Sequence, residues 1–185
     1  MDFDAFSDLV RARRTHMFVD TARPVAAELV DQLCALATWA PNHKQTWPWR
    51  FAALTGDARA RLGAAFADDM EARQFGDEGK RAKTRTKYTR TPTVLVVASA
   101  AHANPLFDLE NRYAAAAGIQ NLLLGATALG LASFWGSPPL ADSAAALEVC
   151  GFDPTDQIVG VIYLGWQERT VEAPQRSAPA VRHLS

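Results

Sequence analysis

Arg13-Arg14-Thr15-His16 places two guanidinium forks and a hydroxyl in consecutive positions, just past an amphipathic stretch. Arginine presents a planar pair of N–H donors that matches phosphate oxygens, and threonine adds a further donor. The chemistry implied is anion recognition by side chains. A helix dipole cannot supply it, because the C-terminal end of a helix carries partial negative charge and repels anions. Taken alone, the pair has a second reading: two cations that complement that helix end in solvent.

A second cluster is Ala40-Pro41-Asn42-His43-Lys44-Gln45-Thr46-Trp47-Pro48-Trp49-Arg50-Phe51. Two prolines and two tryptophans bracket hydrogen-bonding side chains. Each proline pushes its predecessor toward extended geometry, so the preceding helix must stop here. Stiff loops of this kind carry function more often than plain connectors do. His43 alone reads as a loop histidine satisfying a backbone carbonyl, and Trp49 as core packing at the loop base. A third cluster, Phe134-Trp135-Gly136-Ser137-Pro138-Pro139, is a strand ending in a small-residue turn, where glycine permits close backbone approach. A fourth, Gly118-Ile119-Gln120-Asn121-Leu122-Leu123-Leu124-Gly125, sets two polar residues in an apolar helix; core hydrogen bonding is the expected role of Gln120 and Asn121.

Several chemistries lack their residues. No Gly-x-Gly-x-x-Gly follows a strand, and Gly125–Gly130 is followed by Leu131-Ala132 instead of the Lys and Ser/Thr of a phosphate loop. No Gly-x-Ser-x-Gly elbow is present. His16, His43, His102 and His183 lie far apart, and neither cysteine stands at zinc-ligand spacing, so no metal site is expected. This pattern favours a cofactor that brings its own reactivity, and no side chain is singled out as catalytic.

The run Lys80-Arg81-Ala82-Lys83-Thr84-Arg85-Thr86-Lys87-Tyr88-Thr89-Arg90 resembles a nucleic-acid helix locally. Against that, the preceding helix holds Asp68, Asp69 and Glu71, the formal net charge is −1, and only Tyr88 could stack on a base. A solvated face is the plain reading, and no nucleic-acid partner is expected. A sharper one has the run edge an active site and attract nucleotide phosphates, with Lys83 and Arg85 as the test positions.

The elements that must position these clusters follow from periodicity. Phe3, Phe6, Leu9 and Val10 share a helical face over 3–12; Leu29, Val30, Leu33, Leu36 and Ala37 do so over 26–39. Residues 50–55 read as a short strand. A helical region over 58–90 is broken near Gly76-Asp77 and Gly79. The β-branched run over 93–100 predicts a central strand buried on both faces. A long helix starts at Pro105 with Asn104 as cap and ends at Gly130. Gly118 and Gly125 lie nearly on one face of it, which predicts close approach of the sheet or of a second subunit. A strand over 132–136, a helix capped by Asp142 and a buried strand over 158–164 complete the set. The pattern predicts an α+β sandwich, helices covering a central sheet.

The 185 residues suit a single domain, 1–185, with 166–185 as an extended tail. Hydrophobic residues make up 49%, enough for a large core. Cys34 and Cys150 fall in apolar helical patterns and read as buried free thiols. The first residues lack a basic region followed by an apolar run, so a cytoplasmic location is expected. Residues 113–131 lack charge over nearly a membrane-spanning length, but their Ala, Gly, Gln120, Asn121 and Thr127 content reads as a buried helix, with no membrane partner expected.

Taken in order, the four clusters resemble the small FMN-dependent nitroreductases. The Ala-Pro-Asn-His block, with Thr46 and Pro48-Trp49, is similar to that family's Ala-Pro-Asn-His-x-x-Thr-x-Pro-Trp; Trp47 stands where a smaller polar residue is usual. The resemblance spans about 6–165. It implies a three-layer sandwich, a central mostly antiparallel sheet covered by helices, with the long central helix at the interface of a homodimer. It implies FMN, with its phosphate and ribityl chain held by Arg13, Arg14 and Thr15, its ring contacted by Trp135, Gly136 and Ser137, and Trp39 and His43 reaching the flavin of the partner subunit. Arg176 and Arg182 are further candidates for the phosphate. It implies ping-pong transfer of reducing equivalents from NAD(P)H to an electron-poor small molecule such as a nitroaromatic or quinone. The same scaffold supports flavin fragmentation and reductive dehalogenation, and an FMN carrier or redox sensor without turnover is the alternative outside enzymes.

Overall fold

A computed structural model of the chain describes residues 2–184. In chain order the elements are α1 (Phe3–Ala12), α2 (Ala27–Ala37), β1 (Trp49–Leu54), α3 (Ala58–Ala72), α4 (Glu78–Thr86), β2 (Thr93–Ser99), α5 (Pro105–Ala128), β3 (Leu131–Gly136), α6 (Ala144–Cys150) and β4 (Gln157–Trp166), with short 3₁₀ turns at His43–Gln45 and Lys87–Arg90. The four strands form one antiparallel sheet in the order β1-β2-β4-β3.

All seven residues of β2 are buried, as its continuous apolar run requires. Its side chains alternate between two cores. Leu95 and Val97 join Leu33, Ile119, Leu122, Ile162 and Leu164 beneath α2 and α5. Val94, Val96 and Ala98 join Leu62, Phe66, Tyr88, Leu147 and Tyr163 beneath α3 and α6. Helices therefore cover both faces of the sheet, the expected three-layer sandwich. Each fully buried Val or Leu contributes about 1.5–3 kcal/mol, so β2 anchors both cores at once.

Helix α5 is the long element that positions much of the site. The Asn104 side chain accepts a hydrogen bond from the Leu106 amide at 2.9 Å, and Pro105 needs no donor in the first turn. Gly130 ends the helix in the left-handed region, at φ +75°. Gly118 permits a close crossing in which α2 joins the sheet as partner. A Cβ there would lie 2.7 Å from the Ala37 carbonyl oxygen and 2.8 Å from Trp49 Nε1, so α2 and Trp49 make the approach. At Gly125 the neighbours are the side chains of Leu33 and Leu36, also on α2.

Three boundaries differ from the sequence reading for local reasons. Gly79 lies inside α4; the break sits at Gln74 and Gly76, with φ of 52° and 73°, and the Asp77 side chain caps α4 at the Lys80 amide. Ser143 caps α6, while Asp142 turns outward to pair with Arg73 at 2.8 Å. Strand β4 extends through Trp166, so the tail begins one residue later. The cysteine thiols are half-buried and unpaired, and burial pushes Cys34 up to about 11 and Cys150 to about 12. No helix among the described residues is long and apolar enough to cross a membrane.

Candidate functional site

Chain reversal after α1 lays Thr15 beside β3. Thr15 pairs with Ser133 in an isolated parallel bridge, and the His16 amide donates to the Ser133 carbonyl at 3.3 Å. Strand β3 is an edge strand, so its outer backbone groups are not used by the sheet. Backbone direction alternates along a strand. Since the Ser133 carbonyl faces outward, the N–H and C=O of Trp135 also face that open edge.

Three cavities are lined by residues next to this edge: those just before the Thr15–Ser133 bridge, those around Phe134, and those of the turn after Gly136. The first, about 560 Å³, is lined by Arg11, Arg13, Arg14, Gln120 and Arg176 beside Val10 and Pro174. No carboxylate lines it among the described residues. Burial, Arg176 and Arg14 lower the proton affinity of the Arg13 guanidinium, which is the signature of cations crowded without a counter-ion. The second cavity, about 480 Å³ and mostly apolar, is lined by Thr15, His16, Met17, Phe18, Arg90 and Phe134. The third, about 440 Å³, lies beyond Gly136 and is lined by Lys80, Lys83, Lys87 and Ser137–Pro139 with Phe75 and Thr84. Ser133 and Gly136 are about 10 Å apart at the strand rise.

The two arginines have different roles in this geometry. Arg14 donates to the carbonyls of Arg11 and Arg13 and, through Nε, to Val171 at 3.2 Å. It thus complements the end of α1, the plain reading of the pair, and also fastens the C-terminal tail. Arg13 donates to Thr15 Oγ1 at 3.1 Å, one of five donors available to it. That leaves more of its donors uncommitted than on Arg14, whose Nε and Nη1 are engaged and whose Nη2 alone is not.

Trp39 and His43 stand elsewhere. His43 Nδ1 lies 2.6 Å from Glu110 Oε2, and its ring packs edge-on against Phe107. Its partner is a carboxylate, not the backbone carbonyl expected for a loop histidine. Glu110 and Gln120 are ten residues apart on α5, about 15 Å along its axis. Trp39 is 84% exposed and Trp47 60% exposed, and both line a separate cavity of about 430 Å³. Within one chain, therefore, Arg13, Arg14, Thr15, Trp135, Gly136 and Ser137 share one edge, and Trp39 and His43 do not join them. The Trp135 ring itself packs across Gly160, where a Cβ would come within 2.4 Å of its Nε1. Trp135 thus offers the open edge its backbone.

A family model described as the nitroreductase family matches residues 10–166. The chain belongs to the nitroreductase family. It is similar to YdjA of Escherichia coli (strain K12), a provisionally named NAD(P)H nitroreductase, at 29% identity over 163 residues, covering 88% of this chain and 87% of that one. A crystal structure of a nitroreductase-like family protein from Bacillus cereus superposes with a TM-score of 0.80 at 26% identity, covering 96% of this chain and 94% of that one. A nitroreductase from Bacteroides fragilis with bound FMN shares the fold at a TM-score of 0.74 and 20% identity, covering 97% of this chain and 98% of that one.

Within this nitroreductase, two candidates were undervalued by sequence reasoning and one was invisible to it. Gln120 is exposed and lines the arginine cavity, whereas half-buried Asn121 donates to the Leu36 carbonyl at 3.3 Å, near the surface and not in the core. Arg176 of the tail lines the same cavity, held there by the Arg14–Val171 bond. Glu110 carried no local signal, since its partner lies 67 positions away. Of the basic run, Arg85 pairs with Asp68 at 2.7 Å away from the lysine-lined cavity, so Lys83 alone of the two test positions lines the cavity at the turn after β3.

Proposed function

We propose that this nitroreductase-family protein is an FMN-dependent oxidoreductase, that NAD(P)H is its electron donor, and that an electron-poor small molecule such as a nitroaromatic or quinone is its acceptor. The observation that carries the reading is the convergence of Arg11, Arg13, Arg14 and Arg176 on one cavity at the head of an open strand edge. The residues present fit FMN. The arginines and the Thr15 hydroxyl suit its phosphate and ribityl chain, the Met17–Phe134 cavity suits an apolar ring face, and the Trp135 backbone, Gly136 and Ser137 suit the polar edge of the ring. When bound, FMN would supply the redox chemistry that links NAD(P)H to the acceptor. The chain's own residues bind, orient and screen; none is needed as an acid or base.

The active form we propose is a homodimer. Helix α1 is strongly amphipathic yet buries none of its residues within the chain, leaving Phe3 80% and Phe6 47% exposed. Leu36 and Trp39 of α2 and Leu106, Leu109 and Tyr113 of α5 are exposed as well. Clustered apolar surface of this kind marks an interaction face. In the dimer, Trp39 and His43 would reach the partner's flavin, which accounts for their separation from Arg13 within one subunit.

The test is the visible spectrum of the purified protein supplied with FMN, followed by anaerobic NADPH or NADH. A bound-flavin spectrum that bleaches is the expected result. A spectrum that persists with both donors would remove NAD(P)H from the reading and leave a carrier or sensor. Failure to bind FMN would overturn the reading entirely.

A further inference from the structure

Lys80, Lys83 and Lys87 follow i, i+3 and i+7 spacing and so lie on one face as α4 runs into its 3₁₀ extension. All three line the cavity that opens beyond Gly136, together with the turn Ser137–Pro139. Like charges at this spacing repel and weaken a helix. Lys80 Nζ lies 4.5 Å from the Phe75 ring centre and Lys87 Nζ 5.0 Å from that of Tyr88, contacts that seat the stems without neutralising the charges. Their neighbours in the run are occupied. Arg85 is paired with Asp68, and Arg81 donates to the Gly76 carbonyl at 2.8 Å. The acidic side chains of this region, Glu71 and Glu78, line a different groove with Arg81 and Arg85. Among the described residues no carboxylate lines the lysine cavity. Burial lowers the proton affinity of Lys87, and Lys83, Arg90 and Lys80 lower it further. Three ammonium groups thus converge on one space with nothing to neutralise them.

Position narrows what that anion is. The arginine cavity is lined by the residues that lead into the Thr15–Ser133 bridge, and the lysine cavity by the turn that follows β3. Ser137 is two residues beyond Trp135, whose backbone faces the open edge. We propose that Lys80, Lys83 and Lys87 form the subsite for the phosphate groups of the nicotinamide dinucleotide donor, and that the extra phosphate of NADPH makes it the preferred donor over NADH. This rests on the NAD(P)H-dependent flavin reading above. Ammonium groups on flexible stems act as point charges, which suits several phosphate groups held without strict geometry.

The test compares Lys83→Glu and Lys80→Glu with Arg85→Glu, which makes the same charge change on the same helix away from the cavity. Calorimetric titration with adenosine 2′,5′-bisphosphate reads the subsite directly, and steady-state kinetics of the FMN-loaded protein read it in turnover. Lys83→Glu is expected to weaken nucleotide binding and raise the Michaelis constant for NADPH about tenfold at low salt, less at high salt, with bound-flavin absorbance unchanged. The effect on NADH should be smaller. Unchanged nucleotide affinity in both lysine variants would overturn the proposal. So would an equal loss in Arg85→Glu, which would mean a diffuse field instead of a site. Protein that retains no FMN would refute the flavin reading, and the nucleotide titration would still read the lysine pocket in that protein.

Discussion

Thr15 and Ser133 face each other across the bridge that docks the end of α1 on the edge of β3. Through it a local Arg-Arg-Thr sequence becomes one end of a linear site. Arg13, half-buried like Arg14, is its main working cation, because Nε and Nη1 of Arg14 are engaged by three carbonyls. Arg13→Glu replaces a phosphate donor with a like charge among Arg11, Arg14 and Arg176. Hydrogen bonds to charged groups contribute about 1.5–3 kcal/mol, so loss and reversal should weaken FMN by at least about 100-fold. Fluorescence titration of FMN would show this, with circular dichroism unchanged. Full flavin occupancy in the variant would refute the phosphate role.

Gly118 and Gly79 are both helical glycines, and alanine should act on them with opposite sign. At Gly118 a Cβ meets the Ala37 carbonyl oxygen at 2.7 Å, a backbone atom that cannot swing aside. Overpacking of this kind costs about 1–3 kcal/mol and outweighs the helix gain of about 1 kcal/mol. At Gly79 the nearest atom is Asp77 Oδ1 at 3.5 Å, an ordinary contact, so the helix gain of about 1 kcal/mol should stand alone. Urea unfolding should place Gly118→Ala below the wild type and Gly79→Ala above it. A stabilised Gly118→Ala would mean that α2 is not held against α5 as described.

The same two glycines show what was legible in the sequence. The β2 run, the Asn104–Pro105 start of α5 and the Arg-Arg-Thr cluster announced themselves, because local pattern and tertiary role agree there. Gly79 read as a break because glycine weakens helices, yet the Asp77 cap starts α4 ahead of it. Asp142 and Ser143 are both capping types, and only the fold decides between them: Ser143 accepts from the Ala146 amide and donates to Asp69 at 2.6 Å. Gln120 looked like a core polar group because composition does not say which side of α5 it faces. The lysine cavity depends on where α4 lies relative to the end of β3, a relationship with no local trace.

His16 links the tail to the site and should make both sensitive to acid. Its ring is buried, its Nδ1 accepts the Phe18 amide at 3.3 Å, and it stacks on Phe18, whose other contact is the Arg169 guanidinium 3.5 Å from the ring centre. Burial, and then the charge of Arg169, lower its pKa from the ordinary 6.5. The folded protein therefore prefers the neutral ring more than the unfolded chain does. Stability from this group is fully present above about pH 6.5 and falls as pH drops below it, where the unfolded state binds the extra proton. Protonation would place an N–H against the Phe18 N–H and a second cation near Arg169, loosening the segment that carries Arg176 to the arginine cavity. His16→Asn keeps an acceptor for Phe18 and removes the titration. The stability difference between wild type and this variant should hold level from pH 7.5 to about pH 6.5 and shrink from there to pH 5.5 in urea unfolding, while other titrating groups cancel between the two proteins. FMN affinity of the wild type should weaken over the same interval more than that of the variant. A difference constant across that range would show that His16 does not couple the tail to pH.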